Sequence, residues 1–124
     1  LSNIGETFTV NGKTYTIKNS LKFGHNRKIT EIGQRLQDIQ EEFFPNIDKI
    51  DAEAIGALDE KRYKEYQKKQ TPIINQNFQL MANILETVLG LTQDEIDDLD
   101  DSEANDIINK LIIMSAPKKK LEKQ

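Results

Sequence analysis

The dipeptide Asn11-Gly12 stands between two stretches of alternating residues, Glu6-Thr-Phe-Thr-Val10 and Lys13-Thr-Tyr-Thr-Ile17. Asn-Gly is the favoured pair for a two-residue type I′ turn, because both central positions need positive φ. That turn sets the register: Val10 faces Lys13, Phe8 faces Tyr15 and Glu6 faces Ile17. Directly opposed residues share a face. Phe8, Val10, Tyr15 and Ile17 therefore form one apolar side, and Thr7, Thr9, Thr14 and Thr16 the other. A lone hairpin is marginal in water, so the apolar side must lie against helices or a second subunit.

After Ser20 the period changes. Ile29, Ile32, Leu36, Ile39 and Phe43 mark one stripe of an amphipathic helix. Gly24 and Gly33 weaken it, each by up to ~1 kcal/mol against Ala, and Phe44-Pro45 ends it. Asp51 or Asp59 is placed to cap the next helix. From Tyr63 the stripe runs through Tyr66, Ile73/Ile74, Phe78, Met81, Leu85 and Val88 to a stop at Gly90. Pro72 interrupts it. Either Thr71 caps a new helix with Pro72 at its first position, or one helix continues with a kink. The apolar register survives across Pro72, which favours near-collinear helices, ~45 Å from Asp59 to Leu89 if unbroken. Thr92-Gln-Asp-Glu95 is a capping box opening a short helix through Leu99. Asp101 or Ser102 caps the last helix, with its stripe at Ala104, Ile107/Ile108, Leu111 and Ile112 and its end at Pro117.

The fold class expected is thus mainly α with a small N-terminal β-hairpin (α+β), four to five amphipathic helices in a single domain. Residues 1–117 make that domain, with the hairpin at 6–17, and 118–124 form a charged tail expected to be disordered. The chain has 124 residues, enough for one modest core. It has no cysteine, which excludes disulfides, thiolate chemistry and cysteine-ligated zinc. Its net charge of -4 gives no general attraction to nucleic acid or anionic membrane. No apolar run approaches the roughly 20 residues of a membrane span. The first residues lack the basic and apolar regions of a signal peptide. Cytoplasmic placement is the expectation.

Chemistry-bearing patterns are sparse. His25 is the single histidine and has no second histidine or cysteine to build a metal site or triad, so it reads as a surface or helix-start residue. Asp94 to Asp106 holds eight acids and no base, yet no register supplies the EF-hand glycine. The acids read as helix-start caps, with an electrostatic docking surface as the alternative. Lys61 to Lys69 is basic with interleaved tyrosines. It reads as a solvated helix face, with a nucleic-acid backbone or the acidic segment of a neighbouring subunit as competing partners. Phosphate-cradling glycine loops and nucleophile elbows are absent, so no catalytic residue, metal or cofactor is assigned.

The order of features resembles the tail assembly chaperones of long-tailed phages and prophages of Gram-positive bacteria. Val-Asn-Gly-Lys-Thr-Tyr15 leads into amphipathic helices, and the chain closes through Ile84-Leu-Glu-Thr-Val-Leu-Gly-Leu-Thr-Gln-Asp-Glu-Ile-Asp-Asp-Leu99 and Ser102-Glu-Ala-Asn-Asp-Ile-Ile108. The likeness covers nearly the whole chain through helix caps and stripes. It implies a non-catalytic protein of the bacterial host cytoplasm, absent from the mature virion. Such a protein coats the tape measure protein and helps recruit tail tube subunits. The family often has a frameshifted longer form as a further partner, and the codons for Lys118-Lys119-Lys120 suit such a shift. A homo-oligomer is compatible with this; membrane is not a partner.

The partner-binding candidates are Phe43, Phe44, Ile73, Ile74, Phe78, Met81 and Leu85. Their assignment to the chain's own core is the stronger one for any single residue. The electrostatic docking candidates are Lys61, Arg62, Lys64 and Lys68 with Asp97, Asp98, Asp100 and Asp101. Two functions of other kinds compete: a small nucleic-acid-binding regulator using residues 61–69, and a head–tail connector or other virion structural protein.

Overall fold

The computed structural model describes residues 3–116; the lysine-rich tail and Pro117 lie outside them. The element order is β1 (Thr7–Val10), β2 (Lys13–Thr16), α1 (Phe23–Phe43), α2 (Ala52–Gly56), α3 (Glu60–Leu89), α4 (Gln93–Asp97) and α5 (Asp101–Ser115). The mainly helical class with an N-terminal hairpin is as expected. The chain divides into two compact units: residues 1–25 with 81–124, and residues 26–80.

In the first unit the hairpin has the register its turn dictates, with Phe8 opposite Tyr15 and Val10 opposite Lys13. Asn11 and Gly12 take φ of 52° and 79°, as a type I′ turn requires. Phe8, Val10, Tyr15 and Ile17 are buried while the four threonines are exposed. Phe8 stacks on Tyr15 across the strands at 5.7 Å. On the outer face the Thr9 and Thr14 hydroxyls meet at 3.2 Å. The apolar side is covered by helix: β1 contacts α5, and the fully buried side chains of this unit are Ile17, Ile84, Leu85, Val88, Ile107 and Leu111.

The segment after the hairpin caps the end of α3. A helix leaves its last four carbonyls without intrahelical donors. Gly90, at φ +69°, donates its N–H to the Glu86 carbonyl at 3.0 Å. Asn19 Nδ2 donates to the Thr87 carbonyl at 2.9 Å. The Lys18 and Asn19 backbone N–H groups both donate to the Val88 carbonyl, at 2.8 and 3.2 Å. The loop after β2 thus satisfies two of the four orphan acceptors and Gly90 a third, and the same loop anchors β2 to α3. Gly90→Ala is expected to destabilise the protein by about 1–2 kcal/mol, because an L-residue resists the left-handed conformation. Its Cβ would also meet Lys18 Cδ at 2.9 Å. Urea denaturation followed by circular dichroism reads this shift.

In the second unit α1 carries the expected stripe, with Ile32, Ile39 and Phe43 buried and Ile29 and Leu36 half-buried. Both candidate caps are used. The Asp51 side chain accepts from the Ala54 N–H at 2.9 Å and Asp59 from the Arg62 N–H at 2.8 Å. Thr71 does not open a new helix; α3 runs through Pro72. Pro72 and Lys68 are both exposed, so the Lys68 carbonyl that loses its donor at this proline lies on the solvent side of the helix. The last helix starts one residue earlier than expected. Asp100, not Asp101 or Ser102, holds the cap position in an extended conformation, and its N–H donates to Glu103 Oε1 at 3.3 Å.

Candidate partner-binding surface

The core of the second unit is aromatic. Tyr66 receives Phe43 and Phe44 edge-on, with ring centroids at 5.6 and 5.2 Å. Ile50, Ile55, Leu58 and Ile73 pack around this cluster. Phe43 and Phe44 are 5% and 2% exposed, and this corrects their candidacy as a surface. The chain turns at Pro45 with both rings already covered by α3, so neither is offered to another chain. Met81 and Leu85, in the first unit, are 8% and 1% exposed and are corrected in the same way. Ile73 and Ile74 are half-buried. Phe78 is the one member of the set that stays out, at 51% exposure.

The two shoulders of α3 in this unit differ in kind. On one, Arg62, Lys69 and Gln76 recur every seven residues and each reaches α1. Arg62 lies over the Phe43 ring at 4.1 Å and donates to the Glu42 carbonyl at 3.2 Å. Lys69 meets both Glu42 carboxylate oxygens at 2.9 Å. Gln76 Oε1 accepts from Arg35 at 3.0 Å. Because Glu42 and Arg35 are also seven apart, and the pairs run in opposite directions, α1 and α3 are antiparallel and laced along this shoulder. On the other, at helical spacing, lie Tyr63, Ile74 and Phe78. Tyr63 is 38% exposed. The glutamines beside this line bond within α3: Gln67 donates to the Tyr63 hydroxyl and Gln70 to the Tyr66 hydroxyl.

The charged candidates divide likewise. Arg62 is committed to α1 and also meets Glu65 at 3.8 Å, and Lys64 pairs with Glu60 at 3.3 Å. Lys61 and Lys68 are exposed without an ionic partner among the described residues. Asp97, Asp98, Asp100 and Asp101 are all exposed. Around them the acids work as caps. The Thr92 N–H donates to Glu95 Oε1 at 2.8 Å, and the Glu95 N–H donates back to the Thr92 hydroxyl at 3.2 Å. Among the described residues no group of side chains is arranged to hold a metal, and no helix is long and apolar enough to cross a membrane.

These caps titrate. Thr92's backbone N–H, then its hydroxyl, holds the Glu95 carboxyl below its ordinary value of 4.5. The Asn11 amide, at 3.0 Å, followed by the Asp100 backbone N–H, does the same for Glu103. A lowered folded pKa means the carboxylate's contribution is complete above about 4.5 and is lost as pH falls through the folded value. Stability is therefore expected to decline as pH drops below that point. Glu95→Gln with Glu103→Gln should flatten the decline, read as denaturation midpoints across the acid range.

His25 sits at the start of α1, where sequence placed it. Its Nδ1 accepts from the Lys22 N–H at 3.1 Å, which leaves Nε2–H to donate to Asn83 Oδ1 at 2.9 Å. The ring closes the N-terminal turn from the third helical position, as a glutamate does in a capping box. Sequence reasoning missed Asn19 and Asn3. The latter donates to the Met114 carbonyl of α5 at 2.6 Å. Neither carries a local signal, since each partner lies far along the chain.

No protein-family model, curated protein or solved structure matches this chain.

Proposed function

We propose that this protein is a non-catalytic assembly chaperone of a phage or prophage tail, which covers the tape measure protein and helps recruit tail tube subunits. The observation that carries the reading is the open shoulder of α3. Phe78 is half-exposed on a helix whose other shoulder is bonded to α1. Half a ring left in water forgoes about 1 kcal/mol of burial, and with Tyr63 and Ile74 on the same shoulder it forms an apolar patch of the kind that takes another chain. A tape measure protein presents a long amphipathic helix that aggregates until the tube encloses it. Many weak copies along such a helix hold it through avidity, without tight single-site binding. The resemblance in hairpin, stripes and caps points the same way. The work would be done in the host cytoplasm, with the protein left out of the finished virion.

The nucleic-acid reading loses ground to the charge placement. Arg62 and Lys69 are occupied by α1, and Lys64 stands beside the opposite charge of Glu60, which thins the cations that the stretch can offer a phosphate backbone. Co-expression with the cognate tape measure protein tests the proposal. Soluble tape measure protein that co-purifies with this chain is the expected result. Tape measure protein that stays insoluble, or this chain found in purified particles, would overturn it.

A further inference from the structure

From Gln70 to Leu80 α3 carries no charged residue, in a chain that is 31% charged. The stretch is not sequestered: Thr71, Pro72, Asn75, Gln76, Phe78 and Gln79 are all exposed. Exposed helix surface is ordinarily charged, because charge keeps it soluble, and the middle of an interface is where charge is depleted. The side chains of Asn75 and Gln79 have no partner among the described residues, so their amides are available beside the Phe78 ring. Asn75 lies one turn before Phe78 on the same side of the helix.

We propose that this charge-free stretch, centred on Phe78 with Ile74 and Asn75, is a docking surface for an amphipathic helix of another polypeptide whose apolar stripe is bordered by uncharged polar residues. The charge match selects the border. A partner carboxylate or ammonium placed over Asn75 and Gln79 meets no counter-charge and is buried unpaired, which is costly. An amide or hydroxyl there exchanges hydrogen bonds at little cost. The geometry selects a helix. Ile74 and Phe78 lie one turn apart on α3, and the charge-free stretch from Gln70 to Leu80 spans about 15 Å at 1.5 Å per residue, a length matched by about three turns of a partner helix laid along it. The inference rests on the proposed function only for the physiological source of such a helix.

The probes are three synthetic helical peptides of one apolar stripe, bordered by Gln and Ser, by Glu, or by Lys, added to the full chain and followed by fluorescence anisotropy. The neutral peptide is expected to bind with little change between low and high salt, and the charged pair at least about tenfold more weakly. Phe78→Ala should weaken the neutral peptide by at least about tenfold with an unchanged circular dichroism spectrum. Asn75→Glu should weaken it and strengthen the Lys-bordered peptide, a reversal that unfolding would not produce. Equal binding of all three peptides, or indifference to Phe78→Ala, overturns the proposal. So does a change of oligomeric state with Phe78→Ala and no peptide binding, which would give the surface to a second copy. Peptide binding alongside a tape measure protein that stays insoluble overturns the chaperone reading and leaves this surface standing.

Discussion

Leu111→Ala is expected to lower stability by about 2–5 kcal/mol, among the larger losses a single truncation can cause in this protein. Leu111 is 0% exposed, as is Ile107 one turn before it on α5. The helix that carries them lies on β1, whose inward residues Phe8 and Val10 are themselves buried. Cutting the isobutyl side chain back to a methyl leaves a hole in this packing. Small domains hold about 5–15 kcal/mol in all, so a loss of this size is a large fraction of the total. Ile113→Ser on the same helix is the control. Ile113 is 73% exposed, and its replacement should fall within about 0.5 kcal/mol. Urea midpoints of the two variants, measured side by side, decide it. Equal effects would mean that α5 does not close this core.

The features legible in the sequence share one property: each is set by neighbours a few residues away. The hairpin register follows from a two-residue turn and a period of two, which is why Phe8, Val10, Tyr15 and Ile17 were separable from the threonines. The caps at Asp51, Asp59 and Thr92 follow from side chains that reach three residues along. What sequence left open lies between elements. Along α3 the apolar residues cover more than one face, and nothing local says which face finds α1. Tyr66 and Ile73 find it; Phe78 does not. Phe43 and Phe44 looked like an apolar corner because the corner's lid, Tyr66, is more than twenty residues distant. Arg62 and Lys69 read as members of a basic run, and only the antiparallel placement of α1 shows them spent on Phe43 and Glu42. Asn19 was invisible as a cap because the carbonyl it serves belongs to Thr87.

Pro72→Ala is expected to stabilise the protein by about 2–3 kcal/mol. Proline in a helix interior costs about 3 kcal/mol against alanine, through the lost N–H and the clash of its ring with the carbonyl four residues back. The alanine N–H restores a bond to the Lys68 carbonyl. Because Pro72 is exposed, its ring takes no core packing with it when removed. Part of the gain is returned, since the unfolded chain regains freedom that proline denied it, by about 0.4–1 kcal/mol. The apolar register on either side of the proline is already in phase: Tyr66 before it and Ile73 after it meet the same aromatic cluster. The variant therefore has no new alignment to find, and the midpoint should rise without a change in helix content by circular dichroism. Peptide binding at Phe78, six residues on, should be untouched, because a helix already continuous across position 72 presents the same surface with alanine there. A neutral effect on stability would mean that α3 has relaxed its strain by bending at Pro72. The docking surface would then sit on a bent rod, and loss of binding in the same variant would show that the bend is part of what the partner fits.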